Sequence, residues 1–318
     1  MIPMTHDWPG DRAILLVHGI GDAGPDDYTK LVEAVEAALG ARAGEFALYE
    51  LYYNFINNWF KDKTSLAAQL QQAKALFKIG VNDPELAETI AEYAGDVLWP
   101  VLSRSARAAV REAYLLQLKQ VVRDGIDAGI DPVHQKITII AHSLGCFYTY
   151  EVLHAAATRP SHTLQPYTDG VRFDNVILMA PPIQLIRRVG EALGPVIPNR
   201  NELAACADEG LSLPGQLRRG KTTLSARNWV SMTGELDPVG GYFFRRRAAW
   251  AYTDIAGQVS IVDPQTAVTG IASKADLVSV LQGSLSDRKK PTLTIDNPHS
   301  WLGYVARHEQ ELQQWLAV

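Results

Sequence analysis

The most informative chemical pattern in this chain is Ala141-His-Ser-Leu-Gly145, which follows directly after a β-branched run. Ile137, Ile139 and Ile140 predict a buried parallel strand before it. Beyond it, apolar residues recur at helical spacing: Cys146, Phe147, Tyr150 and Leu153. A strand, a sharp turn and a helix form the context in which a serine is presented as a nucleophile.

The surroundings of Ser143 suit nucleophilic catalysis. Such a turn forces strained dihedrals on the serine, so the residues two before and two after it must be small, and Ala141 and Gly145 are small. The backbone N–H of Leu144 lies at the predicted helix start, where developing negative charge is favoured. A serine hydroxyl is a poor nucleophile until a neutral imidazole removes its proton. The pattern therefore requires a histidine elsewhere in the chain and a carboxylate to orient it.

This segment resembles the nucleophile elbow of the α/β-hydrolase family, in particular of lipases and esterases with an Ala-x-Ser-x-Gly motif. The resemblance implies an α/β-hydrolase fold, in which helices flank a mostly parallel central sheet and helical insertions form a candidate cap. It also implies hydrolysis of carboxylic esters through an acyl-enzyme, with no cofactor and no metal. The resemblance covers the sheet-forming segments from about residue 12 onward, and is unclear over 54–103, 183–226 and 240–290.

A second glycine-containing loop follows an earlier apolar run. Residues 13–17 predict a central strand, and His18-Gly19 follow at its carboxyl end, where open α/β sheets bind ligands. In the hydrolases that the chain resembles, a His-Gly pair here precedes the second N–H donor of the oxyanion hole. By position that donor is Ile20, which would act together with Leu144. We expect His18 to support this loop rather than to act as the base.

The resemblance also assigns an acid and a base. Asp237 follows a strand predicted at 228–233, and His299 follows one predicted at 292–295. The chain order Ser143, Asp237, His299 is that of the α/β-hydrolase triad. His299 would accept the serine proton, and Asp237 would fix the tautomer of the imidazole.

Other residues compete for these two roles. Asp263, after a strand predicted at 259–262, is closer to His299 in sequence and is the alternative acid. His142 adjoins the nucleophile, but its side chain should point away from the hydroxyl. The other histidines fall in the N-terminal tail, in loops or on helices: His6, His18, His134, His154, His162 and His308.

Hydrophobic periodicity predicts one domain over residues 1–318, with 54–103 and 183–226 as insertions within it. Strands are expected at 13–17, 46–53, 137–140, 175–180, 228–233, 259–262 and 292–295. Helices are expected at 28–39, 84–93, 104–124 and 301–316 and after residue 145.

Composition limits the partners. The net charge of −5 argues against nucleic-acid binding. Two cysteines, Cys146 and Cys206, suggest neither a disulfide framework nor a metal cluster. No apolar run approaches the roughly 18 residues that a spanning helix needs. We expect that the first residues are not a secretory signal, because they lack a basic region followed by an apolar one. We expect a cytoplasmic protein, with peripheral membrane contact and oligomeric state left open.

Two classes of function remain. The first is an ester hydrolase acting on a small-molecule or lipid ester, for which the aromatic segment 54–60 could shape an acyl pocket; the alternative for 54–103 is plain helices that pack on the body. Phospholipase, thioesterase or amidase activity would use the same triad, and a serine peptidase on this fold is a further option. The second is a non-catalytic relative that binds a ligand or a partner protein.

Overall fold

The computed structural model describes residues 7–19, 25–53, 56, 104–158, 171–182, 225–232, 259–262, 301–307 and 309–316. The strands in this part of the chain are β1 (Arg12–Val17), β2 (Phe46–Leu51), β3 (Lys136–His142), β4 (Arg172–Met179), β5 (Ser225–Met232) and β6 (Val259–Val262). The helices there are α1 (Pro25–Leu39), α2 (Arg104–Asp127), α3 (Leu144–Thr158), α4 (Trp301–Arg307) and α5 (Glu309–Leu316), with a 3₁₀ segment at Gly40–Glu45.

The six strands form one sheet in the order β2-β1-β3-β4-β5-β6, and every neighbouring pair is parallel. The order runs one way from β1 to β2 and the other way from β3 to β6. The gap between β1 and β3 is therefore a topological switch point, where open α/β sheets bind ligands beyond the carboxyl ends of the strands. Val17 pairs with Ala141 there, so the loops after β1 and β3 leave the sheet side by side. The predicted α/β class, a parallel sheet with helices, is confirmed.

Helices cover both faces of this sheet. Along β1, Ala13, Leu15 and Val17 pack into a core with α2 and α3. Ile14 and Leu16 point to the opposite face and pack with α1, α4 and α5. All five side chains are 0% exposed. Burial on both faces explains why the strand reads as a continuous apolar run rather than an alternating one.

Hydrogen bonds from β1 and β4 attach the C-terminal helix α5 to the sheet, toward the amino ends of the strands and away from Ser143. Arg12, at the start of β1, donates to the Leu316 carbonyl at 2.7 Å. Asn175, the fourth residue of β4, donates to the Trp315 carbonyl at 3.2 Å. These carbonyls lie in the last turn of α5, where intrahelical partners are lacking. Both side chains therefore satisfy orphan acceptors while they anchor the helix.

Some predicted helix boundaries are wrong. The helix predicted at 28–39 begins earlier, at Pro25. The helix predicted at 104–124, with Gly125 and Gly129 expected to break it, continues past Gly125 to Asp127. Of the two glycines only Gly129 lies beyond its end, with a left-handed φ of 85°. The Ile130 N–H bonds back to the Gly125 carbonyl at 2.9 Å, which satisfies an orphan acceptor in the last turn of the helix.

Several predictions fall on residues outside those described. These are the strand at 292–295, the helix at 84–93, and nearly all of 54–103, 183–226 and 240–290. The single domain over 1–318 and the cytoplasmic location also stay predictions. None of the helices described above is both long and apolar enough to cross a membrane.

Candidate functional site

Ser143 stands between the last residue of β3 and the first residue of α3. Its φ is 52°, a left-handed conformation that costs roughly 1–2 kcal/mol for a residue with a Cβ atom. The Ser143 N–H donates to the Met179 carbonyl at 2.9 Å, and the Cys146 N–H donates to the Ser143 carbonyl at 3.0 Å. Hydrogen bonds to β4 and to the first turn of α3 thus hold the strained backbone. The side chain is only 2% exposed, so bulk water is largely excluded from the hydroxyl.

The helix after Ser143 starts too close to β1 for any side chain at Gly145. A Cβ atom there would lie 2.4 Å from the His18 carbonyl oxygen and 2.5 Å from the Val17 carbonyl oxygen. Both are backbone atoms, which cannot swing aside. The shape of the turn was already expected to require a small residue at this position. The structure adds a second requirement, which comes from the neighbouring strand.

The loop after β1 touches the serine directly. A Cβ atom at Gly19 would lie 2.5 Å from Ser143 Cβ and 3.0 Å from Ser143 Oγ. Gly19 is therefore needed for close approach between the two loops, a reason that the sequence did not reveal. The approach brings the backbone of the His18-Gly19 loop to the serine hydroxyl.

Cys146 and Ala180 take part in the support of the turn, and the sequence did not single out either for this purpose. The buried Cys146 thiol lies 3.3 Å from the Ala141 carbonyl and 3.2 Å from the Met179 carbonyl, bridging the ends of β3 and β4. Ala180 has a φ of 53°, and its N–H bonds to the Met232 carbonyl at 2.8 Å. No sequence signal marks Ala180, because alanine rarely takes a left-handed conformation.

His18 is enclosed by tyrosines. Its ring stacks on Tyr53 with centroids 4.8 Å apart, and Tyr28 meets it edge-on at 4.8 Å. The Tyr53 hydroxyl donates to the His18 carbonyl at 2.6 Å, which ties the loop to the end of β2. No described residue makes a hydrogen bond with His18 Nε2, and the side chain is only 6% exposed.

The electrostatics of His18 follow from this enclosure. Burial lowers the pKa of His18 from 6.5 to about 3, and a hydrogen bond with the Gly19 backbone opposes the shift only in part. The imidazole is thus neutral at ordinary pH and a weak proton acceptor. A neutral, enclosed ring fits support of the loop and does not fit a general base.

Acidification should destabilise the protein through His18. Between pH 6.5 and about 3 the unfolded chain carries a proton on this residue and the folded chain does not. The unfolded state binds more protons, so the free energy of unfolding falls as the pH drops through this window. At pH 5 the loss is about 2 kcal/mol. Urea unfolding at pH 7.5 and pH 5 measures it.

The matched pair for this experiment is His18→Phe and His134→Gln. Phenylalanine keeps a ring against Tyr53 but does not titrate. Between the two pH values, the free energy of unfolding of His18→Phe should therefore fall by about 2 kcal/mol less than that of wild type. His134 is exposed, and its variant should follow wild type. Equal pH dependence in wild type and His18→Phe would contradict the assignment.

The ring of His142 lies against the C-terminal helix α4. Its centroid is 5.4 Å from that of Trp301 and 6.1 Å from that of Tyr304, and all three residues are buried. The sequence marked Trp301 only as the start of a helix. The structure places it beside the residue that precedes the serine.

The predicted site residues divide into two groups. Those that the structure describes meet at the carboxyl ends of β1 and β3: His18, Gly19, Ala141, His142, Ser143, Leu144 and Gly145. The others lie outside the described residues: Ile20, Asp237, His299 and the alternative acid Asp263. In the described part, no three His, Cys, Asp or Glu side chains form a group that could hold a metal ion.

The fold and the site define an α/β protein that carries a strained serine at the topological switch point of its sheet. No protein-family model matches the chain, and no curated protein matches it. Support for a function comes from the residues of this chain alone.

Proposed function

We propose that the chain is a serine hydrolase with an α/β-hydrolase fold, which cleaves carboxylic esters through an acyl-enzyme intermediate. The observation that carries this proposal is the left-handed φ of Ser143 between β3 and α3. Strain of this kind persists where the surrounding structure enforces it, and it concentrates at functional sites. At the carboxyl edge of a parallel sheet, it is the conformation expected of a nucleophile in a strand-to-helix turn.

The proposed reaction has two halves. The Ser143 hydroxyl attacks the ester carbonyl while His299 takes its proton, and Asp237 holds the imidazole in the required tautomer. The N–H groups of Leu144 and Ile20 stabilise the oxyanion. His299 then protonates the leaving alcohol, which departs and leaves an acyl group on the serine. Water, deprotonated by His299, releases the acid and restores the hydroxyl.

Local structure supports the two oxyanion donors. Leu144 is the first residue of α3, so its N–H lies among those that lack a partner within the helix, at the positive end of the dipole. Gly19 approaches Ser143 so closely that no Cβ atom fits between them. Ile20 is one peptide unit further along, and consecutive Cα atoms are about 3.8 Å apart. The chain therefore has the reach to bring a second N–H to the same carbonyl oxygen.

Chain connectivity supports His299 as the base. Trp301, two positions later, packs against His142, which adjoins Ser143. Two residues span at most about 7 Å. The contact therefore gives a histidine at position 299 the reach to meet the serine hydroxyl.

The sheet favours Asp237 over Asp263 as the acid. Asp237 comes a few residues after β5, which is two strands from the serine-bearing β3. Asp263 directly follows β6, which is three strands away. Neighbouring strands are about 4.8 Å apart, so the end of β6 is about 14 Å from that of β3 and the end of β5 about 10 Å. The shorter span is easier for a loop to bridge.

A fluorophosphonate probe tests the proposal. It phosphonylates a serine that an adjacent base activates, and mass spectrometry should locate the adduct on Ser143. The same preparation should hydrolyse a short p-nitrophenyl ester. Ser105→Ala, which removes an exposed hydroxyl on α2, should leave both results unchanged. A folded protein with neither labelling nor turnover would instead support a non-catalytic, ligand-binding relative.

A further inference from the structure

Two aromatic rings connect the serine turn to the C-terminal helix. His142 immediately precedes Ser143, and Trp301 is the first residue of α4. Their centroids are 5.4 Å apart with the ring planes inclined at 38°. Tyr304, one turn later in α4, stands 6.1 Å from His142 and is fully buried. The start of α4 is thus packed against the residue that presents the serine.

Within the described part of the chain, packing rather than hydrogen bonding holds the Trp301 ring in this place. The indole Nε1 is buried, and no described residue accepts a hydrogen bond from it. The ring belongs to the core cluster between the sheet and the helices α1, α4 and α5, to which strands β1 to β5 contribute side chains. What Trp301 contributes is therefore the shape of its ring.

We propose that Trp301 is a positioning residue, whose ring contact with His142 sets the separation between Ser143 and the base His299. This inference rests on the proposed function. His299 lies two positions before Trp301, so whatever fixes Trp301 also fixes one end of the segment that carries the base. The far end of the C-terminal helices is held separately, by the bond from Arg12 to the Leu316 carbonyl. Loss of the ring at position 301 therefore frees the end of the helices nearest the serine.

Trp301→Leu should lower kcat more than it changes KM. Leucine is too small to span the gap to His142, and a displacement of about 1 Å between reacting groups costs up to about 100-fold in rate. We expect kcat to fall about 10- to 100-fold, and the rate of fluorophosphonate labelling to fall in parallel. KM should stay near the wild-type value, because the ring acts through the base. Trp301→Phe should recover most of the kcat, since the lost N–H makes no hydrogen bond to a described residue.

Trp315→Leu is the matched control. Trp315 packs against the same core cluster, but it lies in the last turn of α5, and its carbonyl accepts the bond from Asn175 in β4. The same substitution at that end should lower thermal stability without lowering kcat per titrated active site. Titration of the active sites with the fluorophosphonate corrects each kcat for the fraction of folded protein.

The single variant His142→Leu keeps the proposal testable if Trp301→Leu does not fold, and it completes a double-mutant cycle if Trp301→Leu does fold. His142→Leu removes the other ring and should produce a similar loss of kcat. The double variant should be little worse than the poorer single variant, because both changes remove the same His142–Trp301 contact. Three results would overturn the positioning role. The first is full kcat in folded Trp301→Leu or His142→Leu. The others are a double variant whose loss of kcat is the product of the two single losses, and a loss of kcat in Trp315→Leu equal to that in Trp301→Leu. Unlabelled, inactive wild type would instead overturn the proposed hydrolase.

Discussion

Ser143→Ala should abolish turnover of a short p-nitrophenyl ester, with a loss of about 10⁴- to 10⁶-fold in kcat. The residual rate comes from groups that still bind the substrate and polarise its carbonyl. Labelling by a fluorophosphonate should disappear with the hydroxyl. Steady-state kinetics and gel-based labelling measure the two effects. Substantial turnover by the folded alanine variant would exclude Ser143 as the nucleophile.

Substitutions at position 143 should also reveal the backbone strain in the serine turn. Alanine and glycine both lack the oxygen, but only glycine adopts a φ of 52° without a steric penalty. Ser143→Gly should therefore be about 1 kcal/mol more stable than Ser143→Ala, and equally inactive. Urea denaturation of the two variants gives the difference.

Gly40 calibrates this comparison. Its φ is 58°, and a Cβ atom there would meet nothing within 4 Å, so Gly40→Ala isolates the backbone penalty. That variant should lose about 1 kcal/mol. Equal stability of the two Ser143 variants, with the expected loss at Gly40, would show that the serine backbone is not strained.

Gly145→Ala should damage both stability and activity. The added carbon would lie 2.4 Å and 2.5 Å from two backbone carbonyl oxygens at the end of β1. Either α3 or the His18-Gly19 loop must then shift, and overpacking of this kind costs roughly 1–3 kcal/mol. Since both segments adjoin Ser143, fluorophosphonate labelling should slow by about 100-fold or more. Urea unfolding and the labelling rate of the folded variant measure the two effects.

Gly44→Ala provides the control, because it adds the same methyl group where nothing lies within 4 Å. Its stability and labelling rate should match those of wild type. Unlike Gly40, Gly44 does not have a positive φ. Its comparison with Gly145→Ala therefore tests only the space available for the added methyl group. If Gly145→Ala labelled at the wild-type rate, close approach of α3 to β1 would not matter for the site.

Local pattern predicted much of the framework. The β-branched run before Ala141 predicted β3, the helical spacing beyond Gly145 predicted α3, and the apolar run at 13–17 predicted β1. Each of these predictions depends on side-chain periodicity over a few residues, which can be recognised without knowledge of the rest of the fold. The end of α2 shows the limit of this reasoning. Gly125 reads as a helix terminator, yet the Gln135 side chain occupies the space that a Cβ atom would take there.

The sequence by itself determined the parallel α/β class and the strand, turn and helix around Ser143, because those features depend on local spacing and residue size. Only the tertiary structure decided what surrounds that turn: the Gly19 loop against the hydroxyl, the tyrosines around His18, and Trp301 against His142. Each of these contacts joins segments that are distant in the chain. Their proximity follows from the strand order and from which face each helix covers, and no local pattern encodes either.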